Sequence, residues 1–395
     1  MTVLYWLSFN LEQYWGPFRL LRSFAFLIGG GVMLAALLTL LLLPKLWGFL
    51  PKDHGKAILG KDGMTSAGKP TGAGLWMTLF VLPVALLVMP FKLPDLGVIM
   101  CLYLSMVFGY LDDKSTDPWG QLKKGLLDCA VSVGAATFIY VGYAQGTGIA
   151  HYVQIWVPFF KGMYAIPWYI YIPCAGAMLW IMLNATNCSD GVDGLAGTLT
   201  LVMILIIAVF LYMVIGNLPK AQYFFIFPPE VNGLPFGGTH ARIAARWSVM
   251  LMTVAGSLAG YLWWNAEPSK VMMGDAGSRF LGLLVGVGVL VTGNPFLLLA
   301  VAPVVLVNGG TGLAKIVLLR TFGKLGLEVR PPSVLPPESA GKEKWFVRAL
   351  HGVRFPLHDH CKKTLHWSNA QVLMRFTLLQ IFLTPILFFV FVKIR

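Results

Sequence analysis

The stretch NATNCSDGVDGLAG, residues 184–197, separates two apolar runs at 166–183 and 195–216. Runs of this length approach the ~20 residues that cross a bilayer as a helix, so they predict a pair of membrane-spanning helices. Two carboxylates three residues apart, Asp190 and Asp193, can face one way across a helical turn, and the glycines allow close backbone approach. Helix capping would explain one Asp, but not two Asp and two Asn. An ionisable cluster at the edge of a span predicts a functional site.

The composition extends the membrane prediction to the whole chain. Of its 395 residues, 57% are hydrophobic and 12% are charged, and the mean hydropathy is +0.72. A soluble domain would carry about twice that charge. We therefore predict an all-α integral membrane protein, a single domain over residues 1–395, with about ten transmembrane helices. The apolar segments lie at 24–43, 72–90, 96–111, 125–145, 166–183, 195–216, 246–262, 279–292, 296–320 and 371–393.

Charge and cysteine usage exclude other classes of protein. The net charge is +13, but Lys and Arg fall between the spans rather than on one helix face. This placement indicates membrane topology and anionic lipid or substrate, and no nucleic acid. The five cysteines have no CxxC or other metal-ligand spacing, which argues against a disulfide framework or a zinc site. Residues 1–22 alternate aromatic and polar side chains without a small-residue cleavage site, which is typical of an interfacial lead-in.

The distribution of basic residues predicts the orientation. Ten spans would place both termini on one side of the membrane. The loops after the odd-numbered spans hold 19 Lys and Arg residues, whereas the termini and the other loops hold 9. By the positive-inside rule, the odd loops face the cytoplasm and both termini are extracytoplasmic, in a multi-pass protein of the inner (cytoplasmic) membrane. The stretch 184–197 and the three polar clusters described next all follow odd-numbered spans, which predicts one composite site on the cytoplasmic face.

Two more acidic clusters follow apolar segments. Asp112 and Asp113 end the third span, where adjacent carboxylates repel each other and oppose the helix macrodipole unless a cation compensates. A solvated helix end is the alternative interpretation. Gly274-Asp-Ala-Gly-Ser278 precedes the eighth segment. This pattern suits backbone N–H groups presented to phosphate, with Asp275 free to ligate a metal, although an ordinary capping loop has similar residues.

The fourth cluster, His358-Asp-His360, lies in a basic loop. Zinc ligation would need a third ligand, so contact of the imidazoles with phosphate is one hypothesis and a surface position is the other. A glycine-rich stretch, Asn308-Gly-Gly-Thr-Gly312, lies inside the ninth segment. Its position at membrane depth predicts a bend or close helix packing and not a phosphate loop.

The side chains of these clusters favour one kind of chemistry. Carboxylates with Asn, Gly and Lys, and without soft ligands, suit Mg²⁺ that is shared with phosphates. A site at the cytoplasmic membrane surface can bring a soluble nucleotide substrate to a lipid substrate. Phosphoryl transfer chiefly needs charge neutralisation and positioning, which Mg²⁺ and Lys supply. The sequence therefore predicts a membrane phosphotransferase.

The ordered motifs also carry a resemblance. GYLDD at 109–113, residues 184–197, NAEPSKVMMGDAGS at 265–278 and FPLHDH at 355–360 resemble the polyprenyl-phosphate N-acetylhexosamine-1-phosphate transferase superfamily. AGKPTGAG at 67–74, HWS at 366–368 and QVLMRF at 371–376 are most similar to the lipid I-forming branch. The resemblance implies Mg²⁺-dependent transfer of phospho-MurNAc-pentapeptide from UDP-MurNAc-pentapeptide to undecaprenyl phosphate with release of UMP, the first membrane step of peptidoglycan synthesis. It also suggests a homodimer.

The resemblance further implies roles for single residues. Asp275 matches a metal ligand, with Asp190 as the second, and Asp112 matches a carboxylate that deprotonates or positions the lipid phosphate. Lys123 best matches a phosphate-contacting Lys, with Lys124 as the alternative because the preceding loop differs in length. The predicted catalytic residues are Asp112, Asp113, Asp190, Asp193, His358, His360 and Lys123. The predicted substrate-binding residues are Asn187, Asn265, Gly274, Ser278, Lys69 and Thr71.

The chain departs from the family pattern at several positions. Asp359 replaces an imidazole, with Lys362 or Lys363 as its expected partner. Met272 replaces an aromatic residue that offers a stacking face to uracil, and Ser66 replaces a Lys for which Lys69 is the expected substitute. The segment 330–354 is longer than usual. These changes bear on nucleotide recognition more than on the chemistry.

Two alternative functions follow from the same residues. A GlcNAc-1-phosphate transferase would share the scaffold, but the context of His358 and His360 argues against it. A transporter or lipid flippase would carry charges deep in several helices or half-helices broken near the midplane. Instead, the acidic residues cluster at one face of the membrane, and Asp128 is the main candidate for a charge inside a span. An enzyme is therefore favoured.

Overall fold

The computed structural model describes residues 3–53, 67–115, 117, 119–147, 152–160, 163–216, 236–326, 329 and 345–393. Helices dominate it, and two of them continue into a π-helical turn. The helices are α1 (Val3–Leu11), α2 (Phe24–Leu46), α3 (Gly74–Val88), α4 (Leu93–Lys114), α5 (Gln121–Thr147), α6 (Trp168–Cys188), α7 (Leu195–Val209, then π-helical Phe210–Ile215), α8 (Phe236–Asn265), α9 (Gly274–Val291), α10 (Leu297–Val301), α11 (Pro303–Val305, then π-helical Leu306–Gly310), α12 (Thr311–Lys324), α13 (Trp345–Gly352), α14 (Leu357–Lys363) and α15 (Asn369–Lys393). Short 3-10 helices cover Gly16–Arg22 and Trp47–Phe49, and the strands are β1 (Tyr152–Trp156) and β2 (Met163–Pro167).

The helices confirm a helical membrane protein. Within the described residues, nine helices are long and apolar enough to cross a membrane, and α3 is a shorter apolar helix of 15 residues. All ten predicted segments therefore lie on helices, but the second one, 72–90, forms a helix shorter than a typical span. The strands β1 and β2 pair antiparallel, with Val153 opposite Ile166. This hairpin of β-branched and aromatic residues is an exception to the all-α prediction.

The ninth predicted segment, 296–320, is not one continuous helix. Ala302 interrupts it with φ −119° and ψ 33°, immediately before Pro303, which has no N–H to continue the helical ladder. The π-helical turn then contains Asn308 and Gly309. A Cβ atom at Gly309 would lie 2.0 Å from the carbonyl oxygen of Ala185 in α6, so only glycine allows this approach. The predicted bend with close packing is confirmed.

Helix α9 lies at the centre of the bundle and positions the site. Every residue from Ala276 to Val291 is buried, and α9 packs against α4, α6 and α7. The helix begins at residue 274 and not at 279, so Arg279 lies inside it with 2% exposure. Likewise α8 begins at 236, and Arg246 lies inside it with 6% exposure. The count of basic residues from the sequence places Arg279 in an odd loop and Arg246 in one of the other loops. Removing both lowers each count of basic residues by one, so the excess in the odd loops is unchanged.

Candidate active site

Three helix ends bring carboxylates and a lysine together. Asp112 ends α4 and forms a salt bridge with Lys124 in the first turn of α5. The Nζ atom of Lys124 also lies 3.7 Å from Oδ2 of Asp275, at the start of α9. Lys123 points elsewhere, with its Nζ 3.5 Å from the centre of the Trp119 ring. The structure therefore places Lys124, the alternative, beside the carboxylates, and places the preferred residue Lys123 against the half-buried ring of Trp119.

Asp113 caps the N-terminus of α9. Its two carboxylate oxygens accept hydrogen bonds from the backbone N–H groups of Asp275 (3.0 Å) and Ala276 (3.1 Å). Gly274 has φ +71°, and a Cβ atom there would lie 2.3 Å from Asp113 Oδ2, so glycine is needed for this close approach. The first N–H groups of a helix have no partner within it, and a carboxylate satisfies them well. The prediction that this helix end presents its N–H groups to phosphate is therefore wrong for Asp275 and Ala276.

The loop before α3 reaches the 190–193 segment. Asp193 Oδ2 accepts from the backbone N–H of Ser269 (3.1 Å) and lies 3.7 Å from Lys69 Nζ, which donates to Ser269 Oγ (3.2 Å). The backbone N–H of Met272 donates to the carbonyl oxygen of Pro70 (2.8 Å), which fixes the loop against the segment before α9. Thr71 is half-buried in the same loop. The structure thus brings Lys69 to the site, next to Asp193.

Three predicted substrate-binding residues form contacts inside the protein. Asn265 is 6% exposed, and its side-chain amide accepts from the Gly194 N–H and donates to the Val271 carbonyl, both at 2.8 Å. The buried Ser278 hydroxyl lies 2.9 Å from Asn187 Oδ1 and 3.0 Å from the Gly274 carbonyl oxygen. Asn265 and Ser278 therefore join the sequence motifs to one another, and Asn187 connects α6 to α9.

His358 is buried and its hydrogen bonds determine its tautomer. Its backbone N–H donates to Asn308 Oδ1 (2.9 Å), which identifies that atom as the amide oxygen, and its ring Nδ1 lies 3.2 Å from the same atom. Nδ1 must therefore carry the proton. Burial, followed by the charges of Lys362 and Lys363, lowers the pKa of His358 to about 4, with Asp359 opposing them. The ring is neutral at pH 7, and Nε2, which lies against Gly191, is a hydrogen-bond acceptor.

The other two residues of this motif are less buried. His360 is half-buried, and its Nδ1 lies 3.4 Å from the backbone nitrogen of Arg354. Asp359 lies 3.4 Å from Lys363 Nζ, one helical turn away in α14. The replacement of an imidazole by Asp359 is thus accompanied by a cation on the same helix, and Lys363 is the partner.

Asp190 is a carboxylate that lies near the negative charges of Asp275 and Asp193. Burial raises its pKa to about 7, and the negative charges of Asp275 and Asp193 add to the effect. Among the described residues, no Lys, Arg or His forms an ion pair with it, and no group of three or more His, Cys, Asp or Glu is placed to hold a metal unaided. Mg²⁺ commonly binds one or two carboxylates plus substrate phosphates. The donor set around Asp190 and Asp275 fits such a shared cation.

The structure adds residues that the motifs did not identify. Arg279 donates to Asp275 Oδ2 (3.0 Å) from one turn along α9, and the i, i+4 spacing is a signal that was available in the sequence. Asn308 contacts His358 from 50 residues away, and nothing in the local sequence connects the two. Asp128, noted only as a charge within a span, is the second partner of Arg279.

Comparison with known proteins gives a consistent result. The sequence profile of glycosyl transferase family 4 matches residues 96–293. A phospho-N-acetylmuramoyl-pentapeptide-transferase of Treponema pallidum is 42% identical over 386 residues, covering 98% of this chain and 95% of the relative. Proteins of the same name from Brachyspira hyodysenteriae and Aquifex aeolicus are each 27% identical. They cover 97% and 84% of this chain, and 98% and 90% of the relatives.

Proposed function

We propose roles for the residues of the site from one premise, that the chain belongs to glycosyl transferase family 4. The profile of this family matches half of the chain, and the relative from Treponema pallidum is 42% identical over 98% of the chain. The chain is an enzyme, and it transfers phospho-N-acetylmuramoyl-pentapeptide to form lipid I. The shared name of the relatives favours this activity over GlcNAc-1-phosphate transfer. As substrates we propose UDP-MurNAc-pentapeptide as donor and undecaprenyl phosphate as acceptor.

The meeting of Asp112, Lys124 and Asp275 at three helix ends is the observation that carries the proposed chemistry. Lys124 attracts the acceptor phosphate, and Asp112 takes its proton or orients it. An oxygen of that phosphate then attacks the donor phosphorus next to the sugar, forming the new P–O bond while the bond to UMP breaks. Phosphoryl transfer of this kind depends mainly on positioning and on neutralising charge.

Asp275 and Asp190 would hold Mg²⁺, which when bound would neutralise charge on the donor phosphates. Lys69 and Asp193 lie on the side of the site formed by residues 269–274, where we place the nucleotide. The neutral ring of His358 has its Nε2 acceptor beside Gly191, so it suits a hydroxyl or amide group of the substrate better than a phosphate oxygen. The role of Lys123 as a phosphate contact has less geometric support than that of Lys124.

The proposed location follows from the charge distribution. The excess of Lys and Arg in the odd loops supports a site on the cytoplasmic face of the inner membrane, with both termini on the other side. A donor made in the cytoplasm can reach such a site directly. Labelling of Cys residues introduced singly after α1 and in the loop after α4 tests this orientation in intact cells and in opened vesicles.

The decisive experiment measures UMP release by purified protein with undecaprenyl phosphate and Mg²⁺. UDP-MurNAc-pentapeptide and UDP-GlcNAc are supplied in parallel. We expect release with the first donor and none above background with the second. Release with UDP-GlcNAc alone would overturn the donor assignment, and release that persists in excess EDTA would overturn the metal requirement.

A further inference from the structure

An ion pair lies inside the helix bundle directly behind Asp275. Arg279 Nη1 donates to Asp128 Oδ1 (2.7 Å), and Nη2 donates to Asp275 Oδ2 (3.0 Å). The Asp128 side chain in α5 is fully buried, and that of Arg279 is 3% exposed. One guanidinium therefore joins a buried carboxylate of α5 to the candidate metal ligand of α9.

The arrangement is unusual in the charge that it brings to Asp275. Arg279 and Lys124 lie 3.0 Å and 3.7 Å from the same oxygen, Oδ2. Each cation opposes the binding of a metal ion at that carboxylate, because like charges repel strongly in a poorly solvated site. Asp128 supplies a compensating negative charge on the far side of Arg279. Without Asp128, Arg279 would have Asp275 as its only acidic partner among the described residues.

We propose that Asp128 and Arg279 are positioning residues for Asp275. Arg279 fixes the orientation of the Asp275 carboxylate, and Asp128 balances the charge of Arg279 so that Asp275 can still bind a cation. This inference rests on the proposed role of Asp275 as a metal ligand. A purely structural ion pair between Asp128 and Arg279 would not require Asp275, whose side chain is 26% exposed at the mouth of the site.

The test uses Asp128→Asn in the full-length protein. Mn²⁺ binding is measured by electron paramagnetic resonance in the presence of UMP, together with the Mg²⁺ concentration that gives half-maximal UMP release. We expect Mn²⁺ binding about tenfold weaker and a matching rise in the Mg²⁺ requirement, because Arg279 then pairs with Asp275 alone. The rate at saturating Mg²⁺ stays within about threefold of the wild-type rate.

The double variant Asp128→Asn/Arg279→Gln removes both charges and gives an independent result. Mn²⁺ binding should return to within about threefold of wild type, while the rate at saturating Mg²⁺ falls about tenfold because Asp275 has lost its orienting partner. A double variant with the wild-type rate would overturn the inference, even if Asp128→Asn alone does not fold.

Asp95→Asn is the matched control. It breaks a buried Asp–Arg pair between α4 and α8, in which Arg246 Nη2 lies 3.0 Å from Asp95 Oδ2. It should lower the melting temperature and leave Mn²⁺ binding unchanged. If Asp128→Asn behaves in the same way, the pair is structural and the inference fails. Asp275→Asn separates the two levels: if it leaves Mn²⁺ binding intact, the metal role of Asp275 is what fails.

Discussion

Within the described residues, two buried Asp–Arg pairs lie near opposite ends of the bundle, and they differ in how completely they are bonded. Asp95, near the start of α4, accepts from Arg246 Nε (3.1 Å), Trp247 Nε1 (3.2 Å) and the Lys92 backbone N–H (2.9 Å), so both of its oxygens are used. In the other pair, Asp128 Oδ2 and Arg279 Nε form no hydrogen bond of ordinary geometry within the described residues, although Asn184 lies near Asp128. Arg279 instead uses a nitrogen on Asp275.

The difference separates two uses of the same residue types. The hydrogen bonds of the Asp95–Arg246 pair join α4 to α8 and to the Lys92 backbone, so its effect is on the stability of the fold. In the second pair, Nη2 of Arg279 bonds a third residue, Asp275, which belongs to the candidate site. The two ends of α4 carry Asp95 of the first pair and Asp112 of the candidate site, which are 17 residues apart, about 26 Å along a helix.

The largest expected difference between the two ends is in activity. Asp275→Asn should lower turnover at least about 1000-fold, because a neutral amide binds Mg²⁺ weakly and attracts no other cation. Asp95→Asn removes a more deeply buried carboxylate, 7% exposed against 26% for Asp275, and should keep activity within about threefold per folded molecule. UMP release by the monodisperse fraction of each variant gives the comparison. Equal losses in both variants would show that the site is not confined to the carboxylate-rich end.

The next largest effect is on stability at the Asp95–Arg246 pair. Arg246→Leu leaves Asp95 without its cation and should lower the free energy of unfolding by about 3 kcal/mol. The double variant Asp95→Leu/Arg246→Leu removes both charges and should recover most of that loss. Denaturant unfolding in detergent, followed by tryptophan fluorescence, measures both. If the double variant is as unstable as Arg246→Leu, the loss of stability in the single variant does not come from an unpaired charge on Asp95, and the prediction fails.

Neighbouring lysines provide a sharper version of the comparison. Lys124→Met should reduce the rate about 100-fold, because Lys124 contacts Asp112 and lies near Asp275. Lys123 is exposed and lies on the half-buried Trp119 ring, so Lys123→Met should change the rate no more than about threefold. Steady-state UMP release at several acceptor concentrations distinguishes them. The reverse order of effects would restore Lys123 as the phosphate contact.

The smallest effect is expected at the buried amides. Asn308→Ala should lower the rate about tenfold, because it frees the His358 ring and leaves its backbone N–H unbonded. Gln380→Ala is the control, since Gln380 bonds the Val301 carbonyl (2.5 Å) and Thr384 (2.7 Å) and forms no hydrogen bond with a site residue in the described part of the chain. It should reduce thermal stability and leave the rate of the folded enzyme unchanged. An unaltered rate in Asn308→Ala would limit Asn308 to packing.

Much of the fold was accessible from the sequence, because hydrophobic runs of membrane length are a strong signal and all ten fell on helices. The hairpin at 152–167 was missed because it lies between spans, where that signal is absent. The break at Ala302 was missed because the apolar run was taken as one span, although Pro303 within it is a signal for a break.

In the site, the motifs identified Asp112, Asp190 and Asp275, whose residue types and positions indicate chemistry by themselves. They did not show which of the polar side chains would be hydrogen-bonded to other parts of the protein. Asp113 caps α9, and Asn265 bonds two backbone groups. Such roles depend on which helix end or loop lies opposite, and that is set by tertiary packing.

The cap on α9 has a consequence for the dependence of the enzyme on ionic strength. Because Asp113 occupies the N–H groups of Asp275 and Ala276, the attraction for phosphate that the protein itself supplies comes from side-chain cations such as Lys124 and Lys69. Attraction to partly exposed lysines is screened by added salt over about 10 Å at 0.1 M. Substrate capture by this enzyme should therefore weaken steadily as salt is raised, while the bonded frame that holds the carboxylates remains in place.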